Sequence, residues 1–180
     1  MKSKCSVYIA ASVDGYIARP DGSIDWLERP EYAVTNLQGL TYDAFITGID
    51  ALVMGRKSYE MVLTFAEWPY TVPVVVLSRH AVTIPAVLQD KVQWMQGEPQ
   101  DIIDALAAED KYHLYIDGGY TIQQFLRVGL IDEMTITRIP ILLGDGIPLF
   151  APSGMELSLS LVEAASSPNG FVQERYCIKK

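Results

Sequence analysis

The sequence predicts an α/β fold: a mixed, mostly parallel central sheet flanked by helices and finished by an antiparallel C-terminal hairpin. Three observations carry this expectation. Strand-like apolar runs alternate with segments of helical spacing from residue 5 to residue 128, the pattern of parallel strands covered on both faces. Beyond Glu133 the pattern changes to strands alone, which suits antiparallel strands closing one mixed sheet. The length of 180 residues, with 49% hydrophobic and 20% charged residues, fits a single domain (1–180) with its own core.

The elements follow in order. Residues 5–11 read as a buried strand, and residues 35–49 carry apolar side chains at roughly helical spacing. A short apolar strand at 51–54 leads into a helix at 56–65. The Val-rich run at 72–77 is a strand, and 92–95 is another. Residues 99–110 are helical, with Ile102, Ile103, Leu106 and Ala107 on one face. A strand at 113–116 precedes a helix at 120–128. Strands at 133–139, 157–165 and 171–178 complete the chain, the last two joined by Asn169-Gly170, a dipeptide suited to a type I′ turn.

Charge and composition exclude several functions. Lys and Arg number 14 against 22 Asp and Glu, a net charge of −8, which argues against sequence-independent nucleic-acid binding. A local cluster of cations can still hold a small anion. No apolar run approaches the ~18 residues of a membrane span, and Met1-Lys2-Ser3-Lys4 opens without the apolar stretch of a signal peptide. Cys5 and Cys177 are expected as buried free thiols in a reducing cytosol. His80 and His113 have no ligand-spaced partners, so no metal site is expected.

Three motifs point to an anionic ligand. In Met54-Gly55-Arg56-Lys57-Ser58-Tyr59 a strand ends at a glycine and a helix begins. Free N–H groups at the helix start, with Arg56, Lys57 and Ser58, make a phosphate cradle or else a turn with two solvated cations. Leu77-Ser78-Arg79 ends the Val-rich strand and offers a hydroxyl and a guanidinium. In Ile116-Asp117-Gly118-Gly119-Tyr120-Thr121-Ile122 two glycines lie between strand and helix, where backbone can approach a ligand closely. Gly144-Asp145-Gly146 reads as a turn. The ends of parallel strands share one edge of the sheet, so a single polyphosphate such as a phosphorylated nicotinamide cofactor can touch all three motifs.

The order and spacing of these motifs resemble the dihydrofolate reductase superfamily, and within it the reductase domain of the bacterial riboflavin-pathway deaminase–reductase. Ala10-Ala11-Ser12-Val13-Asp14-Gly15-Tyr16-Ile17 is similar to the family's first strand and loop. Ile24-Asp25-Trp26-Leu27 resembles its tryptophan-containing loop, and Met54-Gly55-Arg56 its Met-Gly-Arg box. Val76-Leu77-Ser78-Arg79 resembles the strand end that holds a 2′-phosphate. Ile116-Asp117-Gly118-Gly119 with Gln124-Phe125-Leu126 resembles the glycine pair and its helix. Gly129-Leu130-Ile131-Asp132-Glu133 and Gly144-Asp145-Gly146-Ile147-Pro148-Leu149-Phe150 lean toward the riboflavin-pathway branch.

The resemblance implies an NADPH-dependent reductase of a pterin- or aminopyrimidine-like small molecule, cytoplasmic and homodimeric through its C-terminal strands. It places Ala10 and Ile17 at the nicotinamide. Gly55, Arg56, Lys57 and Ser58 are placed on phosphate, and Leu77, Ser78 and Arg79 at the 2′-phosphate. Gly118, Gly119, Tyr120, Thr121 and Ile122 are placed over the pyrophosphate and nicotinamide. Tyr8, Asp14 and Trp26 fall on the substrate side, where Asp14 shapes a loop or serves only a turn, and Trp26 caps the pocket or anchors the core. The family's acidic residue falls on Glu31 when counted forward from Trp26 and on Asp43 when counted back from Met54-Gly55-Arg56. Ile122 replaces the family's tyrosine beside the nicotinamide. A binding module of the same fold that holds NADPH without turnover is the alternative, and a purely structural interaction protein is the third. A deaminase domain has no room beside this domain within 180 residues.

Overall fold

The computed structural model describes residues 2–33, 36–152, 154 and 156–179. Strands β1 (Lys4–Ser12) and β2 (Tyr16–Ala18) open the chain, followed by two single 3-10 turns, helix α1 (Tyr42–Ile46), strand β3 (Ala51–Gly55) and helix α2 (Arg56–Val62). Strands β4 (Val74–Leu77) and β5 (Val92–Met95) precede helix α3 (Pro99–Ala107), strand β6 (His113–Asp117) and helix α4 (Gly119–Arg127). Strands β7 (Glu133–Ile139), β8 (Ile147–Pro148), β9 (Leu159–Ser166) and β10 (Val172–Ile178) finish it. The main sheet runs β5-β4-β3-β6-β1-β7-β10-β9. Its pairs from β5 to β7 are parallel, while β10 is antiparallel to both β7 and β9. This is the expected mixed sheet with its antiparallel ending.

Strand alternation sorts side chains onto two cores. Val53, Val75, Leu114 and Ile116 face α3 and α4, where Ile102, Leu106, Ile122 and Phe125 cover them. Leu52, Met54, Val74, Val76 and Tyr115 face the other way and pack with Phe45 and Tyr59 from α1 and α2. Among the described residues no helix is long and apolar enough to cross a membrane.

The ladder between β1 and β6 is short. It runs from Lys4–His113 only to Ser6–Tyr115, while β1 continues beside β7 as far as Ser12–Ile139. Beyond Ser6 the two strands part, and the sheet opens a slot at its carboxyl edge. Tyr115 spans the parting: its hydroxyl donates to the Tyr8 carbonyl at 2.8 Å, supplying a partner that the ladder no longer provides. The small β2–β8 sheet lies near the mouth of the slot, pairing Tyr16 with Pro148 and Ala18 with Ile147.

Three expectations are corrected. The helix read over 35–49 shrinks to Tyr42–Ile46. Gly39 sits at φ +94°, which no helix accepts, and Thr41 caps the helix by accepting the Ala44 N–H at 3.3 Å; Thr35, the expected start, lies outside the described residues. The last hairpin does not use a type I′ turn, because Asn169 keeps negative φ and only Gly170 is left-handed, at φ +86°. Pro168 and Asn169 form the centre of the turn closed by Gly170 N–H to Ser167 C=O at 2.9 Å, and Ser167 N–H bonds Phe171 C=O at 2.8 Å. Proline presets φ for such a turn. Of the two cysteines, Cys5 is buried but Cys177 is exposed, on the last strand.

Candidate active site

Helices α2 and α4 start side by side at the carboxyl edge. In the sheet register Gly55 lies opposite Leu77 and Met54 opposite Asp117, so the three strand ends named in the sequence are neighbours. Both helices have a glycine at the N-cap, Gly55 and Gly118, and neither has a capping side chain or an acid in its first turn. Helix α3, which starts at the same carboxyl edge but beyond the outer strand β5, begins instead with Pro99, which has no N–H, and with Asp101 in its first turn. The starts of α2 and α4 thus keep unpaired N–H groups and their positive dipole ends for a ligand.

The two starts touch. A Cβ at Gly55 would lie 3.0 Å from the Thr121 Oγ1, and a Cβ at Gly118 would collide with the Ser58 Oγ. Each cap glycine therefore nests against the third residue of the other helix. Gly119 is roofed by the small sheet: a Cβ there would stand 3.0 Å from Ile17 Cδ1 and 3.1 Å from the Pro148 carbonyl. Gln123 fastens that roof, donating to the carbonyls of Pro148 at 3.1 Å and Leu149 at 3.3 Å. Lys57 and Arg79 are exposed and carry no ion pair among the described residues. Arg56 pairs with Glu60 at 2.6 Å, across the helix surface. Ser78 is fixed by its loop, its hydroxyl accepting the His80 N–H at 3.3 Å and its carbonyl the Trp94 indole N–H at 2.9 Å. Tyr120 projects into solvent. Ile122, expected at the cofactor, is fully buried in the α4 core because the helix turns its side chain toward the sheet.

On the other side of β1 lies a cleft of ≈ 280 Å³, walled by Tyr8 and Ala10 of β1, Thr137 and Ile139 of β7, Gln173 of β10 and the 37–42 segment. Gln173, 8% exposed, builds this wall. Its side-chain oxygen accepts the Leu40 N–H at 2.7 Å, and its amide donates to the Leu40 carbonyl at 3.0 Å and the Thr137 hydroxyl at 3.2 Å. Tyr8 donates its hydroxyl to the same Leu40 carbonyl at 2.9 Å. The C-terminal hairpin holds the rest of the segment: Gln38 N–H donates to the Ser167 hydroxyl at 2.8 Å, and Asn169 donates to the Tyr32 carbonyl at 3.0 Å.

Not every expected substrate residue reaches this cleft. Trp26 has 0% exposure and is an anchor of the interior rather than a cap, and the adjacent Leu27 faces the cleft in its place. Asp14 faces away: its carboxylate accepts N–H groups of Leu143 at 3.1 Å and Gly144 at 2.7 Å and the Ser12 hydroxyl at 2.5 Å, which hold it ionised below the usual range. It latches the loop before β8 to the loop after β1. Asp43 is exposed on α1 and Glu31 is exposed on a 3-10 turn beside Arg29 at 3.8 Å; neither lines the cleft.

A carboxyl group that the structure half-buries beside these elements is Asp117. It ends β6 on the face of Tyr115, whose hydroxyl lies 3.4 Å from Oδ1. Burial raises its pKa above the ordinary carboxylate range, against an opposing bond from the Gly118 N–H. Its charge in turn raises the phenols around it. Burial first, then Asp117 and Asp43, push Tyr42 up to about 12, and burial and Asp117 raise Tyr70. The Tyr42 hydroxyl is buried with no partner among the described residues. Sequence motifs drew attention to the glycines after Asp117, but the period-2 pattern along Leu114-Tyr115-Ile116-Asp117 carried the signal that places it beside Tyr115.

Comparison with known proteins places the architecture. The model of the RibD C-terminal domain family matches residues 4–173. The chain is 34% identical over 164 residues to the uncharacterized protein YwjB of Bacillus subtilis (strain 168), covering 89% of this chain and 90% of that one. A Shewanella sp. PV-4 protein whose name links it to riboflavin biosynthesis has a crystal structure that superposes with a TM-score of 0.88 at 42% identity, covering 98% of this chain and 99% of the other. Dihydrofolate reductase from Enterococcus faecalis, complexed with NADP(H) and RAB-propyl, shares the fold: TM-score 0.63 at 16% identity over 98% of this chain and 97% of that one.

Proposed function

This chain belongs to the RibD C-terminal domain family, and we propose that it is an NADPH-dependent reductase of a small heteroaromatic, pterin- or aminopyrimidine-like substrate. The observation that carries the proposal is the pair of glycine-capped helix starts in contact at one sheet edge. The glycines let the two starts pack against Ser58 and Thr121, which brings their backbone N–H groups side by side, an arrangement suited to a diphosphate. Ser78 and Arg79, with Lys57, are the donors suited to a 2′-phosphate. Arg56 can join them, since its exposed pair with Glu60 is weakly held. Ala10, Ile17 and Gly119 border the slot between β1 and β6. NADPH bound there supplies a hydride.

The chain's own work is to orient the ring, exclude water and hold a proton. Asp117 is the group we assign to the proton. Burial raises its pKa above the ordinary carboxylate range, the direction that a proton-holding acid needs. Asp43 and Glu31 are exposed and serve this role less well. A homodimer through the C-terminal strands goes with this reading: edge strand β9 leaves Leu161 and Val162 exposed, and sedimentation near twice the 20.0 kDa chain mass checks it.

The test is a titration with NADPH and NADH read by nicotinamide fluorescence. NADPH should bind more tightly, and Arg79→Ala should weaken NADPH roughly tenfold while leaving NADH nearly unchanged, the size of one charge-assisted phosphate contact. No binding of either nucleotide at millimolar concentration sinks the proposal. NADPH binding without oxidation by any pterin or pyrimidine favours instead a module that holds the cofactor without turnover, a reading motivated by the absence of Asp43 and Glu31 from the cleft lining.

A further inference from the structure

Among the described residues, the cations without a carboxylate partner near the site lie on one side of it. Lys57 and Arg79 flank the two helix starts, whereas residues 30–55 contain no Lys, Arg or His and carry Glu31, Asp43 and Asp50. The described residues lining the ≈ 280 Å³ cleft are aromatic, aliphatic, hydroxyl or amide, with no Lys, Arg or His among them. The arginines nearest in the chain to that lining are engaged by carboxylates: Arg29 with Glu31 at 3.8 Å, Arg175, on the same face of β10 as Gln173, with Glu163 at 3.4 Å, and Arg138, which alternation turns to the opposite face from Thr137 and Ile139, with Glu174 at 3.7 Å. The polar groups of the lining are also largely engaged. Both ends of the Gln173 amide are bonded, the Thr41 hydroxyl accepts the Ala44 N–H, and the Ser167 hydroxyl accepts the Gln38 N–H. The Tyr42 hydroxyl, which has no partner among the described residues, and the O–H groups of Thr41 and Ser167, which only accept in these bonds, are the donors left to a ligand.

We infer that this cleft takes a planar, uncharged ring compound and rejects its phosphorylated or carboxylated counterpart, an inference that rests on the cleft being the substrate side of the proposed reductase. A phosphate or carboxylate that leaves water needs a counter-charge and several donors. Here it would meet an uncharged wall beside Asp43, on a chain of net charge −8. A one- or two-ring compound instead matches the volume, stacks on the Tyr8 and Tyr42 side chains, and presents an acceptor to the Tyr42 hydroxyl. The phosphates of this site then belong to the cofactor alone, and the substrate comes from a reaction that leaves or makes it dephosphorylated.

Matched pairs test this directly. Binding of 5-amino-6-ribosylaminouracil and its 5′-phosphate, and of 6-hydroxymethylpterin and 6-carboxypterin, is measured by calorimetry or fluorescence, with saturating NADP⁺ and without nucleotide. At least one uncharged compound is expected to bind, and each uncharged member to bind roughly tenfold or more tighter than its charged partner, the scale of one unscreened charge near the surface. Leu37→Lys, which sets a cation on the cleft wall, should shrink that ratio several-fold. A charged member that binds as well as its partner overturns the inference, and so does the failure of every uncharged member to bind at millimolar concentration. The nucleotide titration fails independently of these pairs, so loss of the reductase reading and loss of this inference are separate results.

Discussion

Replacing Gly118 by alanine tests the contact between the two helix starts. Gly118 holds φ +84° and ψ 133°, a region that costs a residue with a side chain on the order of 1–3 kcal/mol. The added methyl also meets the Ser58 Oγ on α2, whose backbone is fixed by the helix, and overpacking of this kind costs roughly 1–3 kcal/mol. The sum is about 3 kcal/mol, a fall in Tm of roughly 6–12 °C for a domain of this size. Urea denaturation of Gly118→Ala, Ser58→Gly and the double variant separates the two contributions. Removing the serine hydroxymethyl relieves the overlap and leaves the backbone strain, so the cycle should give a coupling of about 1 kcal/mol. NADPH affinity of the folded variant should drop at least tenfold, because the N–H groups that follow Gly118 are re-aimed. Stability within about 0.5 kcal/mol of the parent, or no coupling to Ser58, would refute the reasoning.

Other perturbations probe the remaining parts. The folded state holds the Asp117 proton more tightly than the unfolded chain does, so its contribution to stability is present below about pH 4 and is lost as pH rises through the raised folded value. Asp117→Asn should therefore gain Tm relative to the parent between pH 4 and pH 8, and a pH-independent difference would count against burial of that carboxyl. Gln173→Ala leaves the Leu40 N–H and carbonyl without their amide partner and should cost roughly 2–4 kcal/mol in urea unfolding; a loss under about 1 kcal/mol would show that Leu40 is held by other means. Asp14→Ala should raise hydrogen exchange at the Leu143 and Gly144 amides by about tenfold at fixed pH, as loss of charge-assisted bonds implies, and unchanged exchange there would remove the latch.

The parts of this fold that were legible in the sequence are those where one physical pressure dominates. The Val-rich run is buried on both faces and could be little else than a central strand. Glu133–Ile139 and Val92–Met95 begin and end where their patterns do. The 35–49 segment misled because its apolar residues serve two tasks. Phe45 packs into the core as a helical residue, while Leu40 is held as a loop by a glutamine far along the chain, which no local window contains. At the hairpin, Pro168 set the turn before Asn169-Gly170 could adopt the conformation that this dipeptide favours in isolation. The edge with the glycine-capped helix starts was readable because glycine at a strand–helix junction has a conformational reason to be there. The cleft was not, since its walls come from β1, β7, β10 and a loop whose proximity only the strand order reveals.

The threading of the chain has a consequence for how the two halves come into being. The strand ends and helix starts of the anion edge all lie within residues 51–127, a run of local strand–helix–strand units. The segment that walls the cleft is fastened by Ser167, Asn169 and Gln173, across sequence separations of 129, 137 and 133 residues. Contacts of such high order form slowly, because their loop-closure entropy must be met first. The first 150 residues contain every strand end and helix start of that edge, but of the side-chain bonds to Leu40 only the one from Tyr8. Completion of the last hairpin is therefore the event that fixes the cleft wall beside an edge of paired helix starts that local units have already built.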